Sequence, residues 1–275
     1  MCAYLICVLE VIKKTSLIFN YSSMFEILIL SIIQGITEFL PVSSSSHLII
    51  ISTYTNFEHQ SLSLDVSLHI GSFLAVVTFF IKDIIQFVKN KKLFFKIIFS
   101  SLPVMIVGFF LVKNNLIDHL RNIKVIGWTT IIFGILLYIF DKFELNKNLE
   151  KNFTYKSALL IGLFQILSLI PGVSRSGITI TAARMLKFNR FDSAKISFLL
   201  SIPTLAAVSV FGLNNLIANN DINISFVNLV SILLSFLFSF ITIKFFLRYI
   251  QTFSLNLFVI YRILLGMILL ILSYL

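Results

Sequence analysis

The run PVSSSSHLI, Pro41 to Ile49, and its weaker echo PGVSRSGIT, Pro171 to Thr179, decide how this chain is read. Each lies inside apolar sequence, and in each a proline ends one short apolar segment before a cluster of Ser, Gly or Thr opens the next. Proline lacks the backbone donor that continues a helix and Ser is favoured at a helix start, so each run reads as a broken helix. The second half of each break then begins inside the bilayer. Such a helix N-terminus carries unpaired N–H groups and the positive end of the helix dipole, which suits an anion, phosphate above all. Two of them, at corresponding places in two halves, point to one anion site at mid-depth.

The flanks are those of an integral membrane protein. The 275 residues are 58% hydrophobic and only 12% charged, which excludes a soluble globular domain and a disordered chain. Apolar stretches of roughly 16 to 22 residues recur, the length of a helix across a hydrocarbon core about 30 Å thick. The alternating segments of a β-barrel, about 10 residues each, are absent from the sequence. Spans are predicted at Val66–Ile81, Ile97–Val112, Ile123–Phe140, Ile196–Leu213, Phe226–Phe246 and Leu257–Tyr274. The shorter pairs Met24–Phe39 with Ser43–Tyr54, and Ala158–Ile170 with Ser174–Met185, read as re-entrant hairpins, tolerated where protein or a cavity surrounds them. The predicted fold is an all-α polytopic membrane protein with six transmembrane helices and two re-entrant helical hairpins.

Gln34 to Pro41 and Gln165 to Pro171 have nearly equal spacing, and each hairpin precedes a span containing Gly or Pro, at Gly71 and Pro203. Residues 24–275 therefore read as a single membrane domain of two halves, about 24–145 and 150–275, divided at the charged loop Asp141 to Lys156. The net charge of +10 sits in short loops and forms no stripe, so it sets topology and implies no nucleic-acid partner. The linkers Lys82–Lys96, Lys142–Lys156 and Arg184–Lys195 are basic and should face the cytoplasm. Those around Asn56–Asp65 and Asn214–Asn223 carry no Lys or Arg; Lys113 and Arg121, in the third outer loop, are a partial exception. Threading six spans through these assignments leaves both ends of the first hairpin outside and both ends of the second inside. The halves form an inverted-topology repeat, and the hairpin tips meet. Residues 1–23 read as an N-terminal extension whose charges, Glu10, Lys13 and Lys14, follow its apolar run, the reverse of a signal peptide. Met24 opens a cleaner helix and is the alternative start. Cys2 and Cys7 lie in that extension near no His or carboxylate cluster, so neither a disulfide framework nor a soft-metal site is expected.

Charged side chains at bilayer depth cost several kcal/mol and are retained for a role or a partner. Glu38, His47, Arg175 and Gln34 stand out on that ground. With a helix opening at Ser43, Ser44 and His47 fall at i and i+3 on one face, and Gln34 and Glu38, at i and i+4, also share a face. Arg175 supplies a planar, permanently charged fork suited to phosphate oxygens. Ser43, Ser45, Ser174, Ser176 and Thr179 add hydroxyls, and Gly172 and Gly177 let backbone approach a ligand. Blander readings stand beside these: a Glu38–Arg175 ion pair that only joins the hairpins, and His47 as a satisfied donor between helices. His69 and Asp65, at the start of a span, read as packing or interfacial groups. Together the residues specify a membrane protein that handles an anionic, phosphorylated substrate at mid-depth. A phosphatase uses Glu38 and His47 as acid and base beside Arg175, whereas a transporter or flippase only binds through Arg175 and the helix ends. An intramembrane serine hydrolase built on Ser44 and His47 lacks an evident oxyanion arrangement.

QGITEFLPVSSSSHLI (Gln34–Ile49) and PGVSRSGIT closely resemble the two signature motifs of the bacterial undecaprenyl-diphosphate phosphatase family, also called bacitracin-resistance proteins. The resemblance extends from Met24 onward and includes FQILSLIPG and the late VIYR, Val259 to Arg262. It implies an integral enzyme of the bacterial inner membrane that hydrolyses undecaprenyl diphosphate to undecaprenyl phosphate and inorganic phosphate. That recycles the lipid carrier for peptidoglycan and other envelope polymers, and gives resistance to bacitracin, which competes by sequestering the substrate. The resemblance also implies a divalent cation, Mg²⁺ or Ca²⁺, near Glu38 and Gln34, an active site opening to the periplasm, and room for a homodimer. Carried onto this sequence, Glu38, His47, Arg175 and Ser44 are the expected catalytic residues, with Ser43, Ser45, Ser174, Ser176, Thr179, Gly172 and Gly177 binding substrate. The nucleophile stays open among Ser44, His47 and water. Gln34 stands where many members have Glu, which removes one carboxylate, and Ser46 stands where Gly or Ala often precedes the His.

Overall fold

The structure, a computed structural model, describes residues 24–55, 62–89, 91–114, 116, 122–143, 147–218 and 226–275, without side-chain placement at 45, 52–54, 87–89 and 218. Residues 1–23, with the expected extension and its two cysteines, lie outside the described residues.

Each break is flanked by helices on both sides. Helices α1 (Met24–Thr37) and α2 (Ser44–Tyr54) enclose the first, and α3 (Leu62–Phe79), α4 (Ile81–Lys89), α5 (Lys91–Lys113) and α6 (Ile123–Asp141) follow. The short α7 (Leu149–Asn152) links to α8 (Tyr155–Ile166), which ends in a 3₁₀ turn, Leu167–Leu169. Helix α9 (Arg175–Met185) opens after the second break, and α10 (Arg190–Ala218), α11 (Phe226–Thr252) and α12 (Asn256–Tyr274) complete the chain. Six of these, α3, α5, α6, α10, α11 and α12, are long and apolar enough to cross a membrane. They coincide with the six predicted spans. Helices α5, α10 and α11 run a turn or two further into the basic linkers, because Lys and Arg are good helix formers whose charged ends reach water there. Helix α4 was read from composition as part of a linker; its apolar and polar residues alternate at helical spacing, so it forms an amphipathic helix beside α5.

The order of two short helices followed by three spans occurs twice. Both breaks also end in the same backbone conformation: Ser43 (φ 74, ψ 96) precedes α2, and Ser174 (φ 70, ψ 117) precedes α9. The packing is paired in the same sense. Helix α1 presses on α11 at Gly35, where Phe238 and Ser239 leave no room for a Cβ, and α8 presses on α5 at Gly162, against the Ser100 carbonyl. These paired contacts fit an inverted repeat. The halves interlock, with α3 against both α10 and α11 and α6 against α12. Small residues permit that approach: Gly71 lies on the backbone of α11, Ser235 Oγ donates to Leu68 O at 2.7 Å, and Ser239 Oγ donates to Ser72 Oγ at 3.0 Å. Phe39, from the first break, packs edge-on to Phe198 at 5.4 Å between centroids, which seats the hairpin tip in the main core.

Candidate active site

A broken helix leaves carbonyls without donors, and something must satisfy them inside the protein. One residue does so for both breaks. Arg262 on α12 is fully buried and donates to Gly172 O at 2.9 Å and Val173 O at 3.0 Å, with longer contacts to Thr130 O (3.3 Å) and Pro41 O (3.5 Å). Ser176 Oγ adds a tie to Leu40 O at 2.7 Å. Gly172 has φ +94, and a Cβ there would overlap Thr129, so this turn requires glycine.

The tips bring a small polar array together. Arg175 Nη2 donates to Glu38 Oε1 at 2.6 Å. Ser44 Oγ, at 2.8 Å, and Gln34 Nε2, at 3.1 Å, both donate to Glu38 Oε2. Residues from α1, α2 and α9 thus converge on one buried carboxylate. Arg175 Nη1 is buried with no partner among the described residues. An unmet buried donor costs about 1–3 kcal/mol, a deficit that a phosphate oxygen would remove. Gln34 is fully buried, and its nitrogen also lies 3.1 Å from Nδ1 of His69 on α3.

Beside the array lies a cavity of about 730 Å³ between α3, α5 and α10. Met105, Phe109, Leu169, Val208 and Phe211 give it apolar walls, and Ser44, Asp65 and His69 belong to its polar lining. An apolar chamber that meets an Arg–Glu–Ser cluster suits a molecule with a long hydrocarbon chain and a charged head.

The family model described as bacitracin resistance protein BacA matches residues 27–268. The chain belongs to the bacitracin resistance protein BacA family. It is 52% identical to an undecaprenyl-diphosphatase of Pelagibacter ubique over 255 residues, covering 92% of this chain and 99% of that relative. An undecaprenyl-diphosphatase of a Jannaschia species is 38% identical over 265 residues, again 92% and 99% of the two chains. One from a Ruegeria species is 37% identical over 264 residues, 91% of this chain and 99% of the relative.

In this BacA-family chain the structure groups Gln34, Glu38, Ser44 and Arg175. The other expected residues hold the breaks. Ser174 Oγ caps α9 by accepting from Gly177 N at 3.1 Å, Thr179 Oγ1 bonds Ser197 Oγ at 2.7 Å, and a Cβ at Gly177 would press on Arg262 Nη1. Ser43 Oγ pairs with Ser46 Oγ at 2.7 Å, and the side chain of Ser45 lies outside the described ones. His47 is not in the array. Its Nδ1 donates to Ser43 O at 2.6 Å, so its Nε2 accepts from Tyr261 Oη at 2.6 Å, and the two rings stack 5.8 Å apart. At i and i+3 two side chains diverge by about 60° around a helix, enough for Ser44 to meet α1 while His47 meets α12. His69 and Asp65, read from sequence as packing groups, line the cavity. The signal that could have found them is two ionisable residues at i and i+4 on one face of an apolar span.

The expected Mg²⁺ or Ca²⁺ needs a shell of oxygen donors. Among the described residues no three His, Cys, Asp or Glu side chains converge. Both oxygens of Glu38 already accept from the protein, and Gln34 turns its nitrogen toward them. Hard cations take six or more oxygens, so this set forms no resident cage.

Proposed function

We propose that this chain hydrolyses undecaprenyl diphosphate to undecaprenyl phosphate and inorganic phosphate, returning the lipid carrier to envelope synthesis, and that Ser44 is its nucleophile. The observation that carries this reading is Ser44, which lines the apolar cavity while donating its hydroxyl proton to Glu38 at 2.8 Å. A serine needs a base within hydrogen-bond reach, and Glu38 stands in that place.

The polyprenyl chain occupies the apolar cavity and the diphosphate lies against Ser44. Arg175 receives a phosphate oxygen on Nη1, then turns its whole fork from Glu38 to the phosphate. Released from its counter-charge, the Glu38 carboxylate takes the Ser44 proton as Oγ attacks the terminal phosphorus. The bond from that phosphorus to the bridging oxygen breaks, and undecaprenyl phosphate leaves. Water then attacks the phosphoserine; Glu38 returns its proton to Ser44 Oγ, and the water's oxygen and hydrogens depart in inorganic phosphate. A divalent cation would have to come with the diphosphate, since among the described residues Glu38 is the one carboxylate of the array and it already accepts from Arg175, Ser44 and Gln34.

The cavity lining includes Asp65, Val112 and Phe211, near the ends of α3, α5 and α10 that the Lys and Arg count places outside. This supports an inner-membrane enzyme whose site opens to the periplasm, where bacitracin competes for the same lipid. A homodimer is part of the reading, and cross-linking in native membranes tests it.

The deciding experiment is phosphate release from undecaprenyl diphosphate by purified protein in detergent, with and without EDTA, beside Ser44→Ala, Glu38→Ala and Arg175→Ala. Each substitution should lower kcat about 100-fold or more, and EDTA should abolish release. A fully active Ser44→Ala moves the attack to water or His47. A folded wild type that binds the lipid and releases no phosphate is a transporter instead.

A further inference from the structure

Of the residues grouped around Glu38, only Ser44 and His69 line the cavity. His69 reaches Glu38 through one intermediary, the buried carboxamide of Gln34. That amide must set its nitrogen against the carboxylate, because an amide oxygen there would face a second acceptor. With one N–H on Glu38 Oε2, the other needs an acceptor of its own. His69 Nδ1 supplies it at 3.1 Å, and can do so only as the tautomer protonated on Nε2. Gln34 Oε1 is buried without a partner among the described residues, so no bond from that side orients the amide. The imidazole is itself presented from a fixed rod. Two residues on, Gly71 sits on the backbone of α11, and Ser72 bonds Ser235 and Ser239 at 3.1 and 3.0 Å.

The geometry points to His69 as a positioning residue: its Nδ1 orients Gln34, which holds Glu38 Oε2 toward Ser44. This rests on Glu38 being the base for Ser44. The need arises at the moment of reaction, when Arg175 turns to the phosphate and leaves Gln34, among the described residues, as the one donor to the carboxylate besides the reacting Ser44. Both hydrogen bonds of the amide nitrogen are then required, since a carboxamide held by one N–H alone rotates about its last torsion.

The test compares His69→Asn, His69→Gln and His69→Ala in the full chain, by phosphate release from undecaprenyl diphosphate, with a melting curve for each purified variant. Asn places an amide oxygen where Nδ1 sits, whereas Gln reaches the place of Nε2. The expected result is kcat within about 3-fold of wild type for Asn and lowered about 10-fold or more for Gln and Ala, with KM moved less than about 2-fold. A space-filling role predicts the opposite order, because Gln matches the bulk of imidazole better. Gln equal to or better than Asn, three equal variants, or a loss confined to KM would each overturn the inference. In a Gln34→Ala background the same substitutions should cost nothing further; an undiminished second loss would equally reject it. If Ala fails to fold, the Asn and Gln pair still decides. A wild type that releases no phosphate removes the function reading and this inference with it, whereas an active wild type with indifferent variants removes only the role of His69.

Discussion

Arg262 carries a permanent charge into the interior and, among the described residues, meets only backbone carbonyls there. Those carbonyls come from the two breaks and from α6, so one side chain closes three backbone segments on each other. Only a guanidinium has the fan of donors for this; an ammonium is a single point on a flexible stem. Replacing Arg262 with Met strands those carbonyls, and Lys restores little of the loss. Both variants should be destabilised by about 3–5 kcal/mol, read as a lowered melting temperature in detergent. A Lys variant that melts with wild type would show that the carbonyl ties are weak. At this scale the sequence marks which residues are costly at bilayer depth, and of the four it singled out the structure brings Glu38, Arg175 and Gln34 together and sets His47 apart. It does not state which neighbour each side chain meets. Ser44 and His47 share a short helix, yet one turns to Glu38 and the other to Tyr261, more than two hundred positions away.

The breaks themselves were legible, because proline and clustered serines have local consequences that need no partner. Their conformation is a different matter. Ser43 and Ser174 both adopt φ near +70, a region costly for a residue with a Cβ, and Ser174 offsets part of that cost by capping α9 through Gly177 N. Two effects therefore oppose each other when Ser174 is changed. Ser174→Gly loses the cap and gains a relaxed backbone, while Ser174→Ala loses the cap and keeps the strain. We expect Ala to be less stable than Gly by about 1 kcal/mol, measured as the difference in melting temperature between the two variants. Equal stabilities would mean that the positive φ carries no cost. Helix α4 shows the converse limit: a stretch dense in Lys looks like a loop until the regular spacing of its apolar residues is considered.

Across the whole molecule the two ends differ in character. At the end assigned to the cytoplasm, buried Asp141 ion-pairs with Arg184 at 3.1 Å and Arg190 at 2.8 Å and accepts from Leu255 N at 3.2 Å. That single carboxylate joins α6, α9, α10 and the start of α12. The opposite end holds the cavity and its lining residues Asp65, Val112 and Phe211. One end is pinned by ion pairs while the other is hollow. Asp141→Asn should leave two arginines without their counter-charge and lower stability by about 3–5 kcal/mol, with KM for the lipid diphosphate unchanged. A shift in KM at full stability would show that the inner cluster is coupled to the cavity. The sequence by itself determined the six spans and the two breaks, because hydrophobic length and proline act on the chain locally. Only the tertiary structure decided that Glu38 faces Ser44 and not His47, that His69 stands behind Gln34, and that Arg262 closes both tips. Those pairings join residues from different helices, and their choice depends on helix rotation and packing that no local pattern in the chain encodes.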